Sequence, residues 1–207
     1  AKKFDLITVR EDSGVSLCEK YLQVKAYHVI DPTMLLCKED YLCLIKKEKE
    51  PLSAGTLFNY ILDPSKETSE FISKIADRLS LTPFCVLPKK QAENRTKDDI
   101  KKHLEDCIYP PVTKWLRAFM DAEMIICDSF HGCVFSIIFN KPFWVIGNEK
   151  RGNARFDSLL KTFGLQERLI SMADNIDMEM PIDWNKVNMI LAEKRNFSKS
   201  LLINALK

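Results

Sequence analysis

A mostly parallel α/β sheet with helices on both faces is the fold class that the sequence predicts, on three observations. Strand-like and helix-like stretches alternate along the whole chain, the pattern of repeated crossovers between parallel strands. The clearest strands, "MIIC" at 124–127 and "FWVI" at 143–146, are continuous apolar runs, as strands covered on both faces must be. The apolar runs stop at Asp31-Pro32, Asp63-Pro64 and Lys141-Pro142, where proline favours a turn over continued secondary structure.

Taken in order, "FDLITV" (4–9) is a short β-prone run. "SGVSLCEKYLQ" follows with apolar residues at helical spacing and a serine able to cap it. "AYHVI" (26–30) is a second strand, and "YLCLIKKEKEPLSAGTLFNYIL" (41–62) reads as one or two more. In "SKETSEFISKIADRLSL", Phe71, Ile72, Ile75 and Leu79 share one face of a helix. "PFCVLP" (83–88) is a strand between prolines, and residues 88–110 form a charged surface excursion with one short helix. "PVTKWLRAFMDA" is a helix with Pro111 in its first turn. "EMIIC", "HGCVFSIIFN" and "PFWVIG" then read as strand, helix and strand. "RFDSLLKTFG" is a helix closed by Gly164, which suits a left-handed cap. "ERLIS" is a short strand, and residues 183–207 form a long amphipathic helix. No repeat or low-complexity tract interrupts this, so residues 1–207 make one Rossmann-like domain.

The totals limit the possible functions. The chain has 207 residues, 46% hydrophobic and 29% charged, and 31 basic against 29 acidic residues leave a net charge of +2. Such a balance gives no case for general nucleic-acid or membrane binding, so any anion site is local. The seven cysteines are scattered without the close pairing of a zinc or redox motif. Free thiols in a reducing compartment are the expectation. There is no signal-peptide pattern, the apolar runs are too short to span a bilayer, and the protein reads as cytoplasmic. The chain starts without methionine and enters a strand almost at once, as an excised piece or a processed N-terminus would.

Ligands of such sheets bind beyond the carboxyl ends of the strands, which directs attention to two loops. One is "VRED" after the first strand, where Arg10 and Glu11 face that edge. The other is "CDSFHG" after "EMII". There Ser129 or Asp128 can cap a helix whose free N–H groups and dipole attract anions. Gly132 lets a ligand approach the backbone, and His131 sits in the first turn, able to donate to a phosphate or move a proton. Taken singly, the histidine is more readily a bystander than a catalyst. The loop after "FWVIG" brings Lys150, Arg151 and Arg155, a plausible clamp for phosphate or carboxylate. Asp31-Pro32 reads as a turn. His28 and His103 have no supporting neighbours. Trp115 and Trp184 read as packing residues, with an aromatic sugar platform unsupported. There is no P-loop, dinucleotide fingerprint, H-x-x-x-H pair or G-x-S-x-G elbow.

At "ITVRED", "VIDPTMLL" and the long block from "PPVTKWLRAFMDAEMIICDSFHG" to "GLQERLI", the sequence resembles the polysaccharide pyruvyl transferase family. The resemblance covers most of residues 4–170 and is loose over 37–110 and the C-terminal helix. It implies transfer of the pyruvyl group of phosphoenolpyruvate to a pair of sugar hydroxyls on a cell-surface glycan, forming a cyclic ketal. No cofactor or metal is implied. It also implies a two-domain fold of the glycosyltransferase B type, with the site between domains. Arg10, His131 and Arg151 fall on the family's catalytic positions. Arg151 stands where the family has lysine, and because arginine does not release a proton in proteins, it is expected to bind an anion. Asp128, Ser129, Gly132 and Arg155 are the expected substrate-binding additions. Family members carry a further N-terminal domain, so the resemblance makes residues 1–207 the C-terminal domain, inactive alone and partnered by the missing half. Two other readings are a nucleotide-sugar-binding glycosyltransferase domain and a noncatalytic anion-binding module.

Overall fold

The computed structural model of the chain describes residues 1–88, 96–102, 104, 108–147, 153–174 and 177–207. Its first part contains β1 (Thr8–Val9), α1 (Asp12–Leu17) running into a π-helical turn (Cys18–Leu22), β2 (Tyr27–His28), a 3-10 turn (Pro32–Leu35) and α2 (Lys38–Lys47). Then come β3 (Leu57–Tyr60), α3 (Lys66–Leu79), β4 (Pro83–Phe84), α4 (Lys97–Lys102) and α5 (Val112–Asp121). The last part holds β5 (Met124–Cys127), α6 (Phe130–Phe139), β6 (Phe143–Ile146), α7 (Ala154–Phe163), β7 (Leu169–Ile170) and α8 (Trp184–Ala205).

The strands β3 to β7 form one parallel sheet in the order β4-β3-β5-β6-β7. Leu57 pairs with Met124 and Tyr60 with Cys127 across β3 and β5. Successive side chains of a strand point to opposite faces, and the core divides accordingly. Phe58, Ile125, Cys127, Phe143 and Val145 pack with Ile45 of α2, Phe119 of α5, α6, Phe163 of α7 and Leu191 of α8. Leu57, Met124, Ile126, Trp144 and Ile146 pack with Ile72, Ile75 and Ala76 of α3 and with Met178. Helices therefore cover both faces of a parallel sheet, as the alternation in the sequence predicts. On the second face the guanidinium of Arg168, wholly buried, lies 4.5 Å from the Trp144 ring. Its Nη2 donates to the carbonyls of Met180 and Pro181 at 2.8 and 2.9 Å, tying that segment down.

The strand order contains a switch point. From β3 the chain passes through α3 to β4 on one side, then recrosses by way of α4 and α5 to β5 on the other. Connections leaving in opposite directions open a crevice above the carboxyl ends of β3 and β5.

Three local expectations change. The run "YLCLIKK" is not a strand but most of α2, with Tyr41 and Ile45 as its buried positions four residues apart. The Asp40 carboxylate accepts from the Cys37 N–H at 2.8 Å and steadies its first turn. The first strand does not join the main sheet. It pairs in parallel with β2 alone, Thr8 opposite Tyr27 and Val9 opposite His28. Pro111 sits at the N-cap of α5, one step before the first turn. Gly164 is left-handed as expected, with φ of 68°.

A Cβ at Gly164 would meet only the flexible tip of Lys186, at 3.8 Å, so the backbone strain stands alone there. Gly164→Ala is expected to lower stability by about 1–2 kcal/mol, read as a lower urea midpoint with an unchanged m value.

Candidate functional site

Helix α6 is buried at nine of its ten positions, and His131 is the exception. The His131 side chain is 47% exposed, and its Nε2 lies 3.8 Å from Oδ2 of Asp31. The same oxygen accepts from Nη1 of Arg10 at 3.0 Å. The Arg10 guanidinium lies 4.5 Å from the Phe130 ring centroid. Among the described residues Asp31 is its only hydrogen-bond partner, which leaves its other donors open. Arg10, Asp31 and His131 thus meet where the β1–β2 unit abuts the carboxyl edge of the main sheet.

Asp31 is the residue that sequence reasoning passed over as a turn. Its side chain is 4% exposed. Its Oδ1 accepts from the Thr33 N–H at 3.0 Å and the Thr33 hydroxyl at 2.8 Å. Burial alone would raise its pKa. The Thr33 N–H, the Thr33 hydroxyl and the Arg10 guanidinium outweigh burial and hold the carboxyl below its ordinary value. The surrounding turn is fixed from behind. The Tyr41 hydroxyl donates to the Thr33 carbonyl at 2.7 Å, and Arg195 of α8 donates to the Met34 and Leu36 carbonyls at 2.8 and 2.9 Å. The sequence signal was present in "VIDPTMLL", where an Asp two residues before a Thr can fold back on the Thr N–H.

The other expected site residues take different places. Asp128 does not orient His131. Its two oxygens accept from the N–H groups of Leu62 and Asp63 at 2.7 and 2.9 Å, locking the ends of β5 and β3 together. Ser129 occupies the N-cap of α6, but its hydroxyl makes no capping bond. The absent side chain of Gly132 serves packing: a Cβ there would sit 2.7 Å from both Cβ and Sγ of Cys127. Arg155 starts α7 with its guanidinium 5.7 Å from the Phe156 ring and its Nε buried without a hydrogen-bond partner among the described residues. Burial raises the pKa of the Cys133 thiol well above its ordinary value, the neighbouring Cys127 adds to the rise, and the charge of Arg155 opposes it. Arg155 therefore lies near the base of α6. Lys150, Arg151 and His103 lie outside the described residues.

His131 also lines a cleft of about 380 Å³ with Tyr60, Leu87, Tyr109, Trp115 and Phe135. The cleft lies at the switch point, above the ends of β3, β4 and β5. Among the described residues no group of three His, Cys, Asp or Glu side chains is placed to hold a metal ion. No helix there is long and apolar enough to cross a membrane.

A doubly wound parallel α/β domain with a histidine, a buried aspartate and an arginine gathered at its carboxyl edge defines the class. The chain belongs to the polysaccharide pyruvyl transferase family, whose model matches residues 1–150, and the family is one of transferases acting on glycans. No curated protein matches the sequence. A solved structure described as the glycotransferase of kitacinnamycin is 13% identical with a TM-score of 0.45. The match covers 76% of this chain and 45% of that one.

Two outcomes test this geometry. Gly132→Ala is expected to cost about 1–3 kcal/mol, because the Cβ of Cys127 cannot move out of its way; thermal unfolding measures it. The second concerns pH. Hydrogen bonding outweighs burial at Asp121 too, where Arg117 and the Ser53 N–H hold the carboxyl below its ordinary value. The folded chain therefore binds fewer protons at Asp31 and Asp121 than the unfolded chain, so their contribution is complete above the ordinary carboxylate range. Stability is expected to fall as pH drops below about 4. In Asp31→Asn part of that slope should vanish from a plot of Tm against pH.

Proposed function

We propose that the chain takes part in transfer of the pyruvyl group of phosphoenolpyruvate to two hydroxyls of a glycan, forming a cyclic ketal. The observation that carries this reading is the meeting of His131 and Arg10 on one buried carboxylate. A half-exposed proton carrier and a guanidinium with open donors stand side by side at a strand edge.

Phosphoenolpyruvate presents a carboxylate and a phosphate, so it calls for more than one cation. Arg10 supplies one. Arg155 is a second candidate, and Arg151 a third on the strength of the family resemblance. Protonation of the donor methylene makes C2 electrophilic. A sugar hydroxyl adds to C2 and loses its proton, the C2–O bond to phosphate breaks, and inorganic phosphate departs. The second hydroxyl then adds to the same carbon and loses its proton, closing the ketal. His131 serves as the proton donor to the methylene or as a ligand of the phosphate. Asp31 is a positioning residue: it holds the imidazole and the guanidinium at a fixed separation. Asp128 and Gly132 keep the floor of the site in place.

In this reading the chain supplies the C-terminal part of the active site, and a further domain of the same enzyme supplies the opposite wall. The reaction runs in the cytoplasm, a setting in keeping with six free cysteines among the described residues.

Calorimetric titration with phosphoenolpyruvate tests the donor site on the chain itself. Arg10→Ala is expected to weaken binding about tenfold or more. Equal affinity in wild type, Arg10→Ala and His131→Ala would reject the site. With a galactose- or mannose-type acceptor present, phosphate release measures turnover. His131→Ala is expected to lower kcat about 10²- to 10⁴-fold if it carries the proton.

A further inference from the structure

We infer that the aromatic cleft beside His131 is the subsite for one pyranose ring of the acceptor glycan. This rests on the transferase reading above for the identity of the sugar, and on the cleft itself for its position and chemistry. Among the described residues no Lys, Arg, Asp or Glu lines the cleft. Among the described residues His131 is its one potential cation, too few partners for the two anionic groups of phosphoenolpyruvate. The aromatic recess suits a ring that has apolar C–H faces and hydroxyls at its edge.

The lining is built for that. Trp115 meets Tyr60 edge-on at 5.5 Å and Phe135 at 4.7 Å, so its indole is fixed by its neighbours. Tyr109 and Val112 are 72% and 70% exposed and form the rim. The volume, about 380 Å³, falls in the range of small-ligand sites, about 300–1,000 Å³. The location is the crevice at the strand-order reversal, where open parallel sheets bind their ligands.

His131 lies 3.8 Å from the Asp31 oxygen that also binds Arg10, and it is part of the lining of this recess. A sugar seated there has its hydroxyls beside the same imidazole that neighbours an anion held by Arg10. One residue thereby faces both reactants, and the charged and the aromatic halves divide donor from acceptor.

The test titrates the chain with methyl β-galactoside and methyl α-mannoside, followed by saturation-transfer NMR, and separately with phosphoenolpyruvate by calorimetry. Tyr109→Ala is the main variant, because a side chain so exposed is dispensable for folding. Tyr109→Phe keeps the ring face. At least one glycoside is expected to bind wild type, Tyr109→Phe and Arg10→Ala alike, and to bind Tyr109→Ala about three- to tenfold more weakly. Phosphoenolpyruvate affinity is expected to be equal in Tyr109→Ala and wild type. The inference is overturned if neither glycoside binds wild type, if Tyr109→Ala binds as well as wild type, or if that variant loses phosphoenolpyruvate affinity instead. A Tyr109-dependent glycoside signal without phosphoenolpyruvate binding supports the subsite and sinks the donor reading, so the two failures are distinguishable.

Discussion

A carboxylate removed from water is costly unless donors replace its hydration, and the site is organised around how Asp31 meets that demand. The Thr33 N–H, the Thr33 hydroxyl and Arg10 lie within 3.0 Å of its oxygens, and His131 lies at 3.8 Å. The Arg10 donor and the nearby His131 come from different parts of the fold. Arg10 follows β1 in the small two-stranded sheet, whereas His131 opens α6 above the five-stranded one. Other bonds also tie the units together: the Ser158 hydroxyl accepts from the Asp12 N–H at 2.9 Å, Lys161 Nζ donates to Asp12 Oδ2 at 3.3 Å, and the Ser198 hydroxyl accepts from the Ile30 N–H at 3.3 Å. Asp31 thus sets the separation of guanidinium and imidazole, and α8 acts as its buttress through Arg195.

On the main sheet, positions close in sequence divide the work. Asp128 and Gly132 flank Ser129 to His131, yet both serve architecture. Asp128 closes the gap between β3 and β5 by accepting two backbone N–H groups, and Gly132 lets α6 sit directly on Cys127. The switch point is where adjacent strand ends are least supported by their own connections. A buried carboxylate bracing it keeps the cleft open without filling it. His131 remains as the one side chain of the helix that faces solvent.

Much of this was legible in the sequence because burial leaves a composition signature. "MIIC" and "FWVI" had to be central strands, and the consecutive loops after them had to share an edge. Gly164 announced a helix end. The failures have equally physical causes. A five-residue apolar run such as "YLCLI" has no period that separates strand from helix, and the decisive bond, Asp40 to the Cys37 N–H, involves a cysteine where a serine would have signalled a cap. Asp31 was hidden because an Asp-Pro-Thr turn looks the same whether its carboxylate is solvated or buried. Only tertiary structure brings Arg10 and His131, more than a hundred positions apart, to the same oxygen. The aromatic cleft was hidden for the same reason: Tyr60, Tyr109 and Trp115 belong to three separate segments, and Trp115 alone reads as core.

The Asp31 arrangement also limits what the described trio can do. Arg10 and Asp31 carry opposite charges, so with a neutral imidazole the group has no net charge, and its long-range pull on an anion is weak. What Asp31 and the Phe130 ring give instead is order. A guanidinium already immobilised loses less freedom when a ligand arrives, and binding keeps more of the energy of each bond. In the proposed reaction, affinity for a multiply charged donor would have to draw on cations beyond the trio. Arg155, at the start of α7 with an unpaired Nε, sits near the base of α6. The Lys150–Arg151 pair precedes it by a few residues on the same connection from β6. Of the basic cluster that the sequence places after the strand neighbouring β5, Arg155 is the member within the described residues, and its Nε, unpaired among them, is the donor that a further anion contact would use.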